Sequence, residues 1–311
     1  MIMAHQSNEL KFIKYNESEG IYISSPLHPE LQIIINKNES FEHNPFLSLG
    51  DLIPKIAFKF TIIIHKINEK SIEILDIAIK NPNFLDITIC YIDETQKHAW
   101  QYISNILKNH HFETLYLKAS NINNDEAYKI LPYLNKINNI SIDECKLFES
   151  ELEKLLDNCL NVKNLCIWDS IRVFNYFYTK HIVRFVKKAK TENLNLYCKF
   201  QDDNCIMIIM ALHDNKYIKK LYFEDEQMTI EILDALYELL KINKNIIHID
   251  FEIRPEYINN EYIHFINKKL KENKQLLADK INNIIFINGV LMHSKISSIS
   301  EDFLQFTTKL I

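Results

Sequence analysis

One phrase recurs along this chain: an asparagine, then apolar residues three, six and eight positions later. Asn81 leads to Phe84, Ile87 and Ile89; Asn109 to Phe112, Leu115 and Leu117; Asn215 to Ile218, Leu221 and Phe223; Asn243 to Ile246, Ile249 and Phe251. Between Asn109 and Asn215 the triplet continues without its asparagine, as Ile137, Ile140, Ile142, then Val162, Leu165, Ile167, then Leu194 and Leu196. The spacing is 28 residues for the first and last asparagine pairs and 25 to 29 in between. A period of this length constrains the fold more than any local propensity, because one such unit cannot bury its apolar face alone and must stack on its neighbours.

Within each triplet the apolar residues alternate, as a short half-buried strand requires: Leu115 and Leu117 point inward while Tyr116 and Lys118 project from the other face. Between triplets, apolar residues at helical spacing predict helices over Lys70–Lys80, Thr95–Lys108, Asp125–Asn135, Ser150–Asn158, Tyr176–Lys190, Asp202–His213, Thr229–Ile242 and Asn260–Glu272. Short strands at a constant period, each followed by a helix, predict a β-α solenoid rather than a doubly wound sheet.

Two segments extend the pattern further: Ile137, Ile140, Ile142, Cys145 and Leu147, and Phe112, Leu115, Leu117, Ser120 and Ile122. Over roughly residues 55 to 277 the chain resembles the leucine-rich repeat family, and the long helices resemble its ribonuclease-inhibitor-type branch. The resemblance implies an α/β leucine-rich-repeat solenoid, a right-handed horseshoe or arc of about eight irregular repeats with caps at both ends. The glycine that the family usually places before the helix is missing. Asparagine, which tolerates left-handed backbone and bonds its own main chain, is expected to supply the turns. Val173 stands one residue late after Arg172, so a distorted loop is expected there.

Residues 1–54 fall outside the period. Lys11 to Ile23 and Glu30 to Asn36 read as two strands joined by a turn, an N-terminal β-rich cap ahead of repeats at 55–277. Residues 278–311 read as a C-terminal cap. After a last asparagine-led phrase at Asn273 and Leu276, Ile281 to Leu291 reads as a closing strand, and a helix is expected to begin at Ser300.

Composition removes several function classes. A chain of 311 residues with 47% hydrophobic and 25% charged content folds around a sizeable core. Its glycines are Gly20, Gly50 and Gly289, too few and too far apart for any phosphate-cradling loop or nucleophile elbow. A net charge of −5 gives no general pull on nucleic acid or anionic lipid, and a nucleic-acid role would need a local basic patch. The basic stretches Arg184–Lys190 and Asn267–Lys274 read as solvated helix faces. The longest apolar run, Cys205 to Leu212, is far too short to span a bilayer, and the first residues lack a signal-peptide layout. The expectation is a soluble cytoplasmic chain, or one secreted without a cleavable signal, with neither nucleic acid nor membrane as partner.

Six cysteines without a Cys-x-x-Cys pair read as thiols, and twelve histidines include no pair at metal-ligating helical spacing, so neither a metal nor a cofactor is expected. His110 and His111 sit just before a strand, His248 lies beside Asp250, and His181 and His264 read as partly buried helix residues. Cys166, beside Trp168, is the strongest nucleophile candidate, but no histidine is tied to it by spacing, and the chain reads as non-catalytic.

Function on such scaffolds lives on the exposed face of the strands. In chain order the outward residues are Thr88 and Cys90; Tyr116 and Lys118; Ser141 and Asp143; Cys166 and Trp168; Asn195 and Tyr197; Tyr222 and Glu224; Asp250 and Glu252. Aromatics pack well on any pleated surface, yet Tyr116, Trp168, Tyr197 and Tyr222 all fall in this column, where they can anchor a protein partner. Lys118 joins them, and Asp143, Glu224, Asp250 and Glu252 favour a partner with a basic surface.

The abundance of Ile, Asn and Lys with irregular leucine-rich repeats and no signal peptide resembles the Legionella-like effectors that intracellular bacteria inject. That resemblance implies a virulence role, a host protein as partner and the host cytosol as workplace. An alternative is a ubiquitin-ligase adaptor docking through its N-terminal segment, where Phe46–Phe60 is a faint F-box echo. The alternative of a different class is a Cys-dependent hydrolase.

Overall fold

The computed structural model describes residues 11–293 except 17–19, 26–27, 36–48, 58, 66, 91, 93–96, 121–124, 146, 169, 171–175, 198–199, 228 and 253–259. Among the described residues eleven strands form one sheet in which spatial order equals chain order. Strands β1 (Lys11–Asn16), β2 (Gly20–Ser25) and β3 (His28–Ile35) make an antiparallel meander, and β3 pairs antiparallel with β4 (Phe60–Ile64). From there every neighbour is parallel: β5 (Phe84–Cys90), β6 (Thr114–Lys118), β7 (Asn139–Asp143), β8 (Asn164–Trp168), β9 (Asn193–Tyr197), β10 (Lys220–Gln227) and β11 (His248–Glu252).

Helices follow the strands. A turn of helix α1 (Leu49–Leu52) and a 3-10 turn (Ile53–Lys55) precede β4. Helices α2 (Glu69–Ala78), α3 (Lys97–Asn109), α4 (Asp125–Tyr128), α5 (Leu131–Leu134), α6 (Glu149–Asn158), α7 (Tyr176–Lys188), α8 (Asp202–Ala211) and α9 (Ile230–Ile242) connect successive parallel strands, and α10 (Glu261–His293) follows β11. Parallel strands in strict sequence, each returning through a helix at a 25 to 30 residue period, make an α/β solenoid of the leucine-rich-repeat kind. Strands stack at about 4.8 Å and helices need 8–10 Å, so the sheet takes the concave side.

The strand alternation predicted from sequence is the burial pattern observed. Leu115, Leu117, Ile140, Ile142, Leu165, Ile167, Leu194 and Leu196 are all at most 2% exposed, and Leu233, Leu236 and Leu240 of α9 close the core from the helix side at 0%. Each such side chain stabilises the fold by roughly 1.5–3 kcal/mol relative to exposure. The stretch Asp125–Asn135, expected as one helix, divides into α4 and α5 because Pro132 opens the second.

The recurring asparagines bond their own main chain in the turns, as expected, but not through left-handed backbone. Among the described residues the positive-φ positions outside glycine are Ala119 (φ 47°) and Glu144 (φ 51°), immediately after β6 and β7, and no asparagine. Asn81, Asn215, Asn243 and Asn273 are instead at most 6% exposed, and their amides bridge repeats. The Asn215 Nδ2 donates to Val186 O at 2.6 Å and Ala189 O at 3.0 Å, while its Oδ1 accepts from Tyr217 N and Ile218 N, both at 2.8 Å. Asn81 reaches Ile53 O and Ile56 O, Asn243 reaches Leu212 O and Asn215 O, and Asn273 reaches Asn243 O and Ile246 O. These bonds satisfy carbonyls at the end of a preceding helix or in the turn just beyond it, where intrahelical partners run out. Asn109, which shares the motif, is exposed. His110 takes over its bond, with Nε2 2.6 Å from Phe84 O and the ring against Phe84 and Phe112.

Two further expectations are corrected. The N-terminal segment contains three strands rather than two, because Lys11 to Ile23 is not one strand but two, β1 and β2, paired antiparallel with Asn16 opposite Gly20. Ile281 to Leu291 is not a closing strand but part of α10, which runs unbroken through Asn273. A short apolar run does not distinguish strand from buried helix, and here the helix simply continues. Val173 and the segment from Ser298 lie outside the described residues.

Candidate binding face

Parallel pairing aligns the outward residues into three rows that cross the strands. The first runs Asp86, Thr114, Asn139, Asn164, Asn193, Lys220 and His248; the second Thr88, Tyr116, Ser141, Cys166, Asn195, Tyr222 and Asp250; the third Cys90, Lys118, Asp143, Trp168 and Tyr197. Neighbours within a row are about 4.8 Å apart.

The second row has a low centre. Ser141, Cys166 and Asn195 stand between Tyr116 and Tyr222, and the Oδ1 of Asn195 is buried without a hydrogen-bond partner. Beside this floor, Trp168 is 44% exposed and its ring lies 4.6 Å from that of the half-buried Tyr197. The Tyr222 ring lies tilted against His248 at 5.0 Å, and Asp250 is exposed next to them. The face therefore presents aromatic area with polar tips around small side chains, the composition of a binding hot spot.

One proposed selecting residue is not available in the way expected. Asp143 is only 6% exposed, accepts a short hydrogen bond from the Tyr116 hydroxyl, and lies 3.0 Å from the Lys118 ammonium. Burial, the bond to Asp143 and the Asp143 charge all push the Tyr116 phenol up, so it stays a donor. Packing between adjacent strands causes this: a carboxylate desolvated on the sheet needs partners, and Lys118 and Tyr116 supply them from β6. The three residues form a neutralised, rigid corner rather than a free charge. Glu224 lies in β10 between Tyr222 and Gln227, where the register with β11 shifts, and Glu252 ends β11.

A feature that sequence reasoning passed over is the first row. Asn139 Nδ2 donates to Thr114 Oγ1 at 3.2 Å, Asn164 Nδ2 donates to Asn139 Oδ1, and Asn193 Nδ2 donates to Asn164 Oδ1. This amide ladder borders the floor on the side opposite Trp168. Three asparagines each opening a strand at the repeat period are the signal that could have disclosed it.

Elsewhere, α6 and α7 are tied by charge. Arg184 donates to Glu153 at 2.8 Å and forks onto Asp157, Lys180 pairs with Glu149 at 2.9 Å, and the buried His181 lies 3.0 Å from Glu149. Arg184 is thus engaged within the protein. His264 is exposed, correcting the expectation of partial burial. Cys90, Cys145, Cys159 and Cys205 are buried thiols, and burial pushes that of Cys145 up to about 12, far from a nucleophile's range. Cys166 is half-buried on the floor. In the Phe46–Phe60 stretch, Leu52, Ile53, Ile56 and Phe60 are at most 2% exposed and belong to the solenoid core. Among the described residues no His, Cys, Asp and Glu side chains group to hold a metal, and no helix is long and apolar enough to cross a membrane.

No protein-family model matches the sequence, and no curated protein does. Solved structures similar to the chain include the tropomodulin C-terminal domain of Caenorhabditis elegans, at 9% identity and a TM-score of 0.37, covering 44% of this chain and 83% of that one. A chain of the Drosophila Toll–Spatzle complex is similar at 10% identity and a TM-score of 0.39, covering 79% of this chain and 35% of that one.

Proposed function

We propose that the chain is a non-catalytic protein-interaction module whose concave sheet binds a partner protein. The observation that carries this reading is the exposed Trp168, braced by Tyr197 at 4.6 Å beside the low floor of Ser141, Cys166 and Asn195. A braced aromatic has lost little further entropy to binding and offers a large desolvated contact. Asp250 offers an exposed negative charge on the same face, which suits a basic partner segment. Tyr116, Lys118 and Asp143 frame one end of the floor, and Tyr222 frames the other. Glu224 and Glu252 add acid toward the last strands.

The resemblance to injected effectors makes a host-cell protein the natural partner class, and β1 to β3 cap the first repeat edge in this reading. Capture of a partner from eukaryotic lysate, followed by titration calorimetry on the purified pair, tests it. Trp168→Ala and Tyr197→Ala should each weaken the complex by about 2 kcal/mol or more while circular dichroism stays unchanged. Equal affinity in both variants would move the site off the concave face.

A further inference from the structure

A lysine recurs with the repeat. Lys80, Lys108, Lys136, Lys163, Lys190 and Lys216 follow one another at 26 to 28 residues, and Lys244 and Lys274 continue the row. All eight are exposed, and none has a carboxylate within ion-pair distance among the described residues. Because every parallel strand points the same way, the turns that carry six of these lysines share one edge of the solenoid; Lys108 ends α3 at that edge, and Lys274 lies within α10 next to Asn273, whose amide bonds Asn243 O and Ile246 O of the turn before.

Backbone bonds stack those turns directly on one another: Asn164 N to Asn138 O at 2.9 Å, Glu192 N to Lys163 O at 2.8 Å, Lys219 N to Glu192 O at 2.8 Å, and Ile247 N to Lys219 O at 2.8 Å. The acids that share the edge are mostly engaged: Asp86 and Glu113 are held by Lys59, Glu192 by Lys219 and Glu272 by Lys269, with Asp214 exposed. Acidic residues gather at the opposite edge, in the first turns of α6, α8, α9 and α10. The net charge of −5 is therefore the sum of two segregated edges.

Helix dipoles attract lysine to helix ends, but that effect fades within the last turn. Lys108 falls in the last turn of α3, but Lys163 and Lys216 stand five residues beyond the ends of α6 and α8, where the dipole does not account for them. The same edge also exposes apolar side chains between the charges: Tyr217 at 49%, Ile242 at 61% and Leu276 at 46%. Each lies within two residues of a lysine in the row.

We propose that this edge is a peripheral docking surface for an anionic lipid membrane, with the lysine row at the headgroups and Tyr217, Ile242 and Leu276 entering the interfacial layer. Flexible point charges suit a fluid field of headgroups, whereas the row lacks the arginine forks and stacking aromatics with which proteins grip nucleic acid. Exposed Ile242 and Leu276 have a use at a lipid interface and none against a phosphate backbone. Binding by this edge is independent of the concave face, which stays open to a protein partner.

Sedimentation of the full chain with vesicles tests the proposal, comparing pure phosphatidylcholine with phosphatidylcholine containing 30% phosphatidylserine (about that fraction is chosen to give a strong surface potential). The wild type should pellet with the anionic vesicles and not with the neutral ones. Each lysine near such a surface strengthens binding about 5-fold at low salt. Replacing Lys163, Lys190, Lys216 and Lys274 together by Gln should therefore weaken partitioning by at least about 100-fold, with unchanged circular dichroism. Tyr217→Ser combined with Ile242→Ser and Leu276→Ser should bind at low salt but release at moderate salt where the wild type stays bound. Lys154→Gln, away from the row, and Trp168→Ala should bind as the wild type does. Failure to bind anionic vesicles, or equal binding by the quadruple Gln variant, overturns the proposal. A duplex RNA or DNA probe that binds in a row-dependent way while the vesicles do not would assign the edge to nucleic acid instead.

Discussion

Asn215 and Asn109 occupy the same place in the same sequence phrase, yet the structure gives them opposite weights. Asn215 is 3% exposed and makes four hydrogen bonds, two to carbonyls of the preceding repeat and two from its own turn. Asn215→Ala takes this partner from four backbone groups, three of them in buried bonds. At about 1 kcal/mol net for each bond, the loss comes to about 4 kcal/mol. Asn215→Asp should cost more, because the donor that faced Val186 O and Ala189 O becomes a buried carboxylate oxygen facing two acceptors. Asn109→Ala, on an exposed residue, should stay within about 0.5 kcal/mol. Urea denaturation reads the difference, followed both by far-UV circular dichroism and by fluorescence from Trp100 and Trp168, which lie N-terminal to Asn215. If the two probes separate in the Asn215 variants, the C-terminal repeats have uncoupled from the rest, as a nearest-neighbour solenoid allows. Equal stabilities for Asn215→Ala and Asn109→Ala would refute the bridging role assigned to the buried amides.

Other consequences follow from single contacts. Asp143→Asn should bring the Tyr116 phenol back down toward its ordinary value while leaving it above by the share due to burial, measured by NMR titration of the ring. Glu149 is held below the usual carboxylate range by hydrogen bonds to Lys180 and then His181, and Glu153 by its bond to Arg184. With folded values depressed below 4.5, their contribution to stability is full above that pH and is lost as pH falls through the lower folded values. Melting temperature should drop more steeply below about pH 4.5 in the wild type than in Glu149→Gln/Glu153→Gln, and salt should shrink the difference. His110→Ala removes the bond to Phe84 O and two ring contacts, and should cost about 2 kcal/mol by thermal denaturation.

Most of the repeat architecture was legible because its cause is local. The alternation at Leu115, Leu117, Ile140 and Ile142 is a two-residue period that only a strand satisfies, and the helices between had room for nothing else. Pro132 announced the break between α4 and α5 in plain view. What the sequence hid was nonlocal. That Asp143 is buried depends on Tyr116 and Lys118 of the neighbouring strand, 27 and 25 residues earlier. Asn139, Asn164 and Asn193 carry no signal singly, and only stacking in register turns them into a ladder. Ile281 to Leu291 was misread because a short apolar run carries no period of its own, and only the continuing backbone of α10 decides it. The recurring lysine is visible in the sequence, but its meaning depends on every turn facing one edge.

The measurement closest to the central claim is the dissociation constant of a captured protein partner for the wild type and for Trp168→Ala combined with Tyr197→Ala. If the concave face is the working surface, the double variant keeps its fold and its dissociation constant rises by at least about 30-fold, the equivalent of 2 kcal/mol. An unchanged constant in a folded double variant would contradict the assignment and leave the sheet as scaffold alone.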